Sequence, residues 1–191
     1  MKATHKILSL AWVLLALGLL CGCAGTLSEA MVSIDLGIPA TTLSAPAPRA
    51  EIEIVDLRQG GSMSRTTIGD MPMGTITLSP PEQELVRQLV AEALRKAAGG
   101  RTLSVEWPKI YCGIKTFDVS TPATALYWDV TARIVLILRV RGADRQLSGE
   151  AVERTYLWPS EEVIGRVTTQ ALQQVSAAVD QELPALLTLP H

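Results

Sequence analysis

Residues 130 to 141, "VTARIVLILRVR", alternate with a period of two over their whole length. Val130, Ala132, Ile134, Leu136, Leu138 and Val140 fall on one side of an extended chain, while Thr131, Arg133, Val135, Ile137, Arg139 and Arg141 fall on the other. No helical register gathers the first set onto one stripe, so this segment is predicted to be a strand. One of its faces is wholly apolar, and other elements must cover it. "GADR", 142–145, is expected to turn the chain back into a second strand offering Glu150, Val152, Arg154 and Tyr156. Three extended stretches, 102–118, 124–141 and 146–158, follow from this pattern.

Two amphipathic helices supply the cover. "SPPE", 79–82, places Ser79 as a cap, Pro80 at the first helical position and Glu82 three residues on, which predicts a helix to about Ala98. Leu85, Val86, Leu89, Val90, Ala93, Leu94 and Ala97 recur at steps of three and four, and Gly99-Gly100 provides the stop. "WPSEE", 158–162, opens a second helix, with Ser160 as its cap and Glu161 and Glu162 in its first turn. Its buried side runs from Val163 to Leu183, and Pro184 is expected to end it.

Ahead of these, Glu51 to Leu57 alternates as a half-buried strand. "SRTTIGDMPMGTITL" reads as a second extended region broken at Asp70 to Gly74. The resulting order is strand, strand, helix, three strands, helix. The predicted fold class is α+β: a two-layer sandwich, mainly antiparallel sheet with two amphipathic helices on one face. Gly60-Gly61-Ser62 precedes no helix, so it reads as turn chemistry and not as a phosphate-cradling loop.

The N-terminus belongs to another class of segment. Lys2 and Lys6 precede an apolar run from Ile7 to Leu20, fourteen residues that would span only about 21 Å as a helix against a ~30 Å bilayer core. That length fits a cleaved signal peptide better than a membrane span. "LCGC", 20–23, resembles the bacterial lipobox, in which cleavage precedes a cysteine carrying diacylglyceryl. Gly22 before Cys23 and Leu20 three residues back place lipidation at Cys23. Modification of Cys21 would instead put Leu20 beside the cut, where the pattern wants a small residue. The resemblance implies a palmitate-bearing lipoprotein. Ala24, where aspartate would retain such a protein on the inner membrane, implies the periplasmic face of the outer membrane. Residues 1–22 are thus the signal peptide, 23–50 a lipidated tether rich in small residues and proline, and 51–191 one periplasmic domain. "MVSIDLGI", 31–38, reads either as a short strand inside that tether or as a disordered tail.

Without Lys2 and Lys6 the seventeen basic residues fall to fifteen against nineteen acids, a formal charge of −4. No concentrated basic face points to nucleic acid. The pair Cys21 and Cys23 with Cys112 and no internal histidine does not make a zinc set, and no cofactor or metal is expected. Once Cys23 is acylated, Cys112 has no partner for an intramolecular disulfide, and it reads as a small buried hydrophobe in a strand. His191, at the terminus, is the one histidine of the mature chain, so histidine-dependent nucleophilic catalysis is not expected. The expectation is a protein that is not an enzyme.

A mixed apolar and basic strand face is the candidate interaction surface: Arg133, Val135, Ile137, Arg139 and Arg141 with Val152 and Tyr156. The loop carrying Met63, Arg65, Met71 and Met73 is a second candidate, since methionine adapts to irregular surfaces. Trp107, Tyr127, Trp128 and Trp158 read as core or, alternatively, as the lining of a lipid cavity between helices and sheet. The order of lipobox, tether, "IVDLRQ", "IGDMPMGTITL", amphipathic helix, strand hairpin and terminal helix resembles the YajG-type lipoproteins, a bacterial family without an established biochemical role. This implies an envelope adaptor or scaffold, held to the bilayer through Cys23 and meeting an unidentified envelope protein. The alternative is an auxiliary protein that handles lipid or lipopolysaccharide.

Overall fold

A computed structural model describes residues 29–38, 51–60, 63–69, 71–99 and 108–188. The signal run, Cys23, most of the tether, Glu106, Trp107 and His191 lie outside the described residues. Among the described residues, seven strands and two helices follow in the order β1 (Glu29–Ser33), β2 (Ile52–Asp56), β3 (Ser64–Ile68), β4 (Pro72–Ser79), α1 (Glu82–Ala98), β5 (Ile110–Ala123), β6 (Trp128–Val140), β7 (Ala143–Thr155) and α2 (Glu161–Leu187).

The alternating segment is β6, flanked on both sides by antiparallel partners. Leu136, for example, stands opposite Ile114 of β5 and Leu147 of β7. Its six inward residues are buried. The β6–β7 turn differs from the expected "GADR": Val140 pairs with Ala143, leaving Arg141 and Gly142 as a two-residue loop with φ of 51° and 77°. Positive φ at both central positions matches the twist of a right-handed hairpin. Arg141 is therefore a turn residue and does not stand on the strand face proposed for it.

The other half of the sheet is not antiparallel throughout. The path is β1-β4-β3-β5-β6-β7, with β2 also on β5, so the sheet is mixed. β1 runs parallel to β4, while β2 and β3 both run parallel to β5. β5 is long enough to serve both: β2 covers Ile110 to Ile114 and β3 starts at Ser120. Between them lies a register shift at Ile114/Thr116. Strand β1 falls inside the stretch read as tether. Ala30 and Val32 are buried, Met31 and Ser33 face outward, and the Ile34 amide donates to the Ser79 carbonyl at 2.8 Å. That short alternation suffices because β4 supplies its ladder.

β4 runs as far as Ser79, so Ser79 is not the cap of α1. Pro81 takes that position without a side-chain hydrogen bond, and the helix starts at Glu82. Gly99 closes it in the left-handed conformation, its amide bonded to the Lys96 carbonyl. α2 begins as expected, Ser160 Oγ accepting from the Val163 amide at 3.3 Å. It continues through Pro184 to Leu187, because Leu183 and Leu186 are both buried. One apolar cluster joins residues of both helices to the inward side chains of the strands.

α2 touches the strands at both ends of this path, β1 and β7. Gly165 packs on Val32 of β1, and the Met31 amide donates to Glu161; one residue on, Arg166 donates twice to Glu153 of β7. In a flat sheet of this order the edges would stand about 24 Å apart, at ~4.8 Å per strand. Adjacent helix residues reach both, so the sheet curls around α2. Along β7, the Gln174 amide group accepts from the Glu150 amide at 3.1 Å and donates to its carbonyl at 2.9 Å. Backbone groups that would template a further strand are thereby occupied.

Candidate functional site

The outward face of β5, β6 and β7 is a ladder of paired rows. Arg139 stands between Tyr111 and Asp144 in register, bonds Asp144 through Nε at 2.6 Å and Nη2 at 2.8 Å, and lies 5.5 Å from the Tyr111 ring centroid. Hydrogen bonding to Asp144 raises the Arg139 pKa and lowers that of the carboxylate. Lys115 on β5 donates to Gln146 on β7 at 3.1 Å, spanning β6 between them. Val135 is buried although it faces away from the main cluster, and Ile137 is half-buried. Farther along, Arg154 bonds Asp129 at 2.8 Å and stacks on the Tyr127 ring at 3.7 Å from its centroid.

Arg133 is the exception. It sits opposite Asp118 and Glu150 in register, is exposed, and forms no ion pair among the described residues. It opens onto a cleft of about 310 Å³, whose lining includes Arg58, Met63, Lys115, Phe117 and Asp118. The cleft lies where β2 has left β5 and β3 has not yet joined it. Arg58 is built into its wall: it holds Asp56 in a two-pronged pair and reaches Glu82 and the Phe117 carbonyl, each at 3.4 Å. The Arg58 hydrogen bonds pull the Asp56 carboxyl down to about 2.

Of the seven residues proposed for the strand face, Arg133, Arg139, Val152 and Tyr156 reach solvent. Val135 is closed off, Ile137 and Arg141 are half-buried, and Arg139 is committed to Asp144. The second candidate region is divided. Met63 is buried in the core and its carbonyl accepts from the Ile76 amide. Arg65 is buried on β3, 5.7 Å from the Trp158 ring centroid, and burial lowers its pKa. Both were expected in an exposed loop; the core packing of the β3–β4 hairpin draws them in. Met71 and Met73 are exposed.

An apolar concentration that the sequence does not reveal lies at one end of the sheet. Ile68, Met71, Leu126, Tyr156 and Leu157 are all more than half exposed, with Leu157 at 78%. They come from three separate connections, so only the ladder brings them together. Behind them Tyr127 meets Tyr156 edge to face at 6.3 Å, and Trp128 meets Trp158 at 5.9 Å. Neither the cleft above nor a groove of about 280 Å³ between the helices, with Leu36, Leu89, Lys96 and Leu172 in its lining, takes these aromatics as walls. Lys96 is already bonded to Asp180 at 2.7 Å.

Cys112 is buried on β5, where desolvation pushes its thiol up to about 12. Among the described residues no three histidine, cysteine or carboxylate side chains gather where a metal ion could be held. No helix among them is long and apolar enough to cross a membrane.

No family model matches the chain, and no curated protein matches it. Among solved structures it is similar to an uncharacterised protein at 11% identity, with 82% of this chain and 92% of that chain covered and a TM-score of 0.38. It is also similar to a Caulobacter crescentus CB15 protein provisionally described as a lipoprotein, at 11% identity, 72% and 93% coverage and a TM-score of 0.34. A Xanthomonas campestris protein of the family DUF330 shares 10% identity, with 83% and 93% coverage and a TM-score of 0.38.

Proposed function

We propose that this chain is a bacterial envelope lipoprotein that acts without catalysis as an adaptor. Acylated Cys23 holds it to the periplasmic face of the outer membrane, in keeping with its resemblance to the YajG-type lipoproteins. The observation that supports a docking role is Arg133: a cation with no ion pair among the described residues, at the mouth of a cleft that Arg58 and Lys115 also line. Such a site suits an acidic side chain of a partner, with Met63 and Phe117 as an apolar floor. Arg133→Glu, made in the lipidated protein and cross-linked in its native envelope, is expected to lose the partner that the unaltered protein retains. Equal recovery of that partner would remove the cleft from consideration. Cys23→Ala is expected to leave the protein in the soluble periplasmic fraction, and recovery of the unaltered protein with the inner membrane would overturn the sorting drawn from Ala24.

The groove between the helices favours a second reading, an auxiliary lipid-handling protein. Its volume stands at the lower edge of the ~300–1,000 Å³ usual for ligand pockets, and its one lysine is held by Asp180. Organic extraction of the purified protein followed by mass spectrometry tests it. Stoichiometric lipid beyond the Cys23 anchor would move the assignment from adaptor to carrier.

A further inference from the structure

We infer that the apolar end of the sheet lies against the bilayer, with Leu126, Tyr156 and Leu157 entering the interfacial region of the phospholipid leaflet. The inference rests on the anchoring of Cys23 proposed above and adds an orientation to it. Its basis is the direction of β1. Glu29, the first residue of β1, pairs with Thr75 of β4, and the two strands run parallel. β1 therefore begins toward the end of the sheet where β4 begins at Pro72. The ladder continues across that end: Pro72 pairs with Thr66, Ile68 with Ala123, Ala123 with Trp128, and Trp128 with Thr155. This is the end that carries Ile68, Met71, Leu126, Tyr156 and Leu157.

The reach of the connection is short. Six residue steps separate Cys23 from Glu29, which even fully extended span at most about 22 Å. Glu29 itself stands three residues inside the sheet from Pro72, roughly 10 Å from its end. An acylated Cys23 thus holds this end within at most about a dozen ångströms of the lipid surface. The opposite end, where Lys109 precedes β5, stands a whole strand away.

The chemistry of the near end suits that position. Exposed Leu126 and Leu157 present wholly apolar side chains, and Tyr156 adds a ring with a polar tip, as interfacial aromatics do. Arg154 is matched there by Asp129 and Arg166 by Glu153, so partial dehydration strands none of these four, while exposed Glu29 and Glu161, without an ion pair among the described residues, stay on the watered side of the contact. Acyl chains supply the affinity. The apolar end sets the angle at which the cleft beside Arg133 is presented.

The test uses the full lipidated chain in vesicles of phosphatidylethanolamine and phosphatidylglycerol. An environment-sensitive nitrobenzoxadiazole label is placed on Leu126→Cys or Leu157→Cys and, separately, on Lys109→Cys. Nitroxide-labelled lipids serve as the quencher, and mass spectrometry reads acylation of Cys23. Acylated protein whose Leu126 and Leu157 labels shift to the blue and lose most of their emission, while the Lys109 label does neither, supports the inference. Acylated protein with all three labels equally unquenched overturns it, leaves the anchor intact, and returns the apolar end to a protein partner. Unmodified Cys23 overturns the anchoring itself; preferential quenching at Leu126 in that chain would still support contact with the bilayer, and its absence would end both.

Discussion

Gly149 of β7 lies against Ala171 of α2 so closely that a Cβ on Gly149 would overlap the Ala171 carbonyl oxygen and press on Val175 Cγ2. The obstacle is helix backbone, which cannot swing aside as a flexible side chain could. Gly149→Ala is expected to destabilise the protein by about 1–3 kcal/mol, the usual range for overpacking. A denaturant midpoint unchanged from the unaltered protein would mean that α2 does not seat on β7 at this point.

Gln174→Ala removes both hydrogen bonds to the Glu150 backbone and reopens the edge of β7. The stability loss is expected to be modest, about 1 kcal/mol, because water can reach the freed groups. The larger effect is association: concentration-dependent aggregation, read by light scattering, should rise, since an uncovered edge pairs readily with another chain.

Cys112 gives a prediction in alkali. Its thiol titrates near 9.0 in an unfolded chain and is pushed up to about 12 by burial. The folded state therefore keeps a proton that the unfolded state loses. Stability is unaffected below about 9 and falls as pH rises above it, with a limiting slope of about 1.4 kcal/mol per pH unit. Comparing unfolding of the unaltered protein and Cys112→Ala across that window checks it; parallel pH curves would contradict the burial described.

Asp56 acts at the opposite end of the scale. Arg58 hydrogen bonds hold its carboxyl at about 2, below its ordinary 3.8. A depressed carboxylate stabilises the fold above its unfolded pKa and loses that contribution as pH falls from about 4 through 2. The pair is partly solvated, so Asp56→Asn should cost no more than about 1 kcal/mol at neutral pH. The acid unfolding curve of that variant should be flatter between those limits, as circular dichroism would show.

Legibility in the sequence followed the range of the interaction. β6 announced itself because Val130 to Val140 encodes its own two faces, and Ser160 because a cap acts on an amide three residues away. Strand β1 did not, since "EAMVS" is short and its register depends on β4, far along the chain. The Arg141-Gly142 turn lacks the Asn-Gly or Asp-Gly signal, so the sequence pattern points to a turn one to two residues beyond it. Met63 and Arg65 sit in a polar-looking segment and are buried only through the β3–β4 hairpin and Trp158. In the cleft, Arg133 is visible as one alternating arginine among several; that Arg139 bonds Asp144 while Arg133, though opposite Asp118 and Glu150 in register, bonds neither is a matter of side-chain conformation, which a sequence pattern does not carry. The apolar end could not be read at all, because Ile68, Leu126 and Leu157 come to share one end of the sheet only through the pairing of β3, β5, β6 and β7.

The mixed sheet also sets an order of events in time. β5, β6 and β7 are joined by tight turns, and α2 follows them directly, so their contacts close short loops. The three parallel ladders of β1, β2 and β3 each close a loop of roughly fifty residues, which is entropically slower. The C-terminal half is thus expected to form first, and β1, whose seat is completed by β4 and the first turn of α2, to dock late. β1 is then the last strand to be drawn in, closing over a core that is already largely assembled.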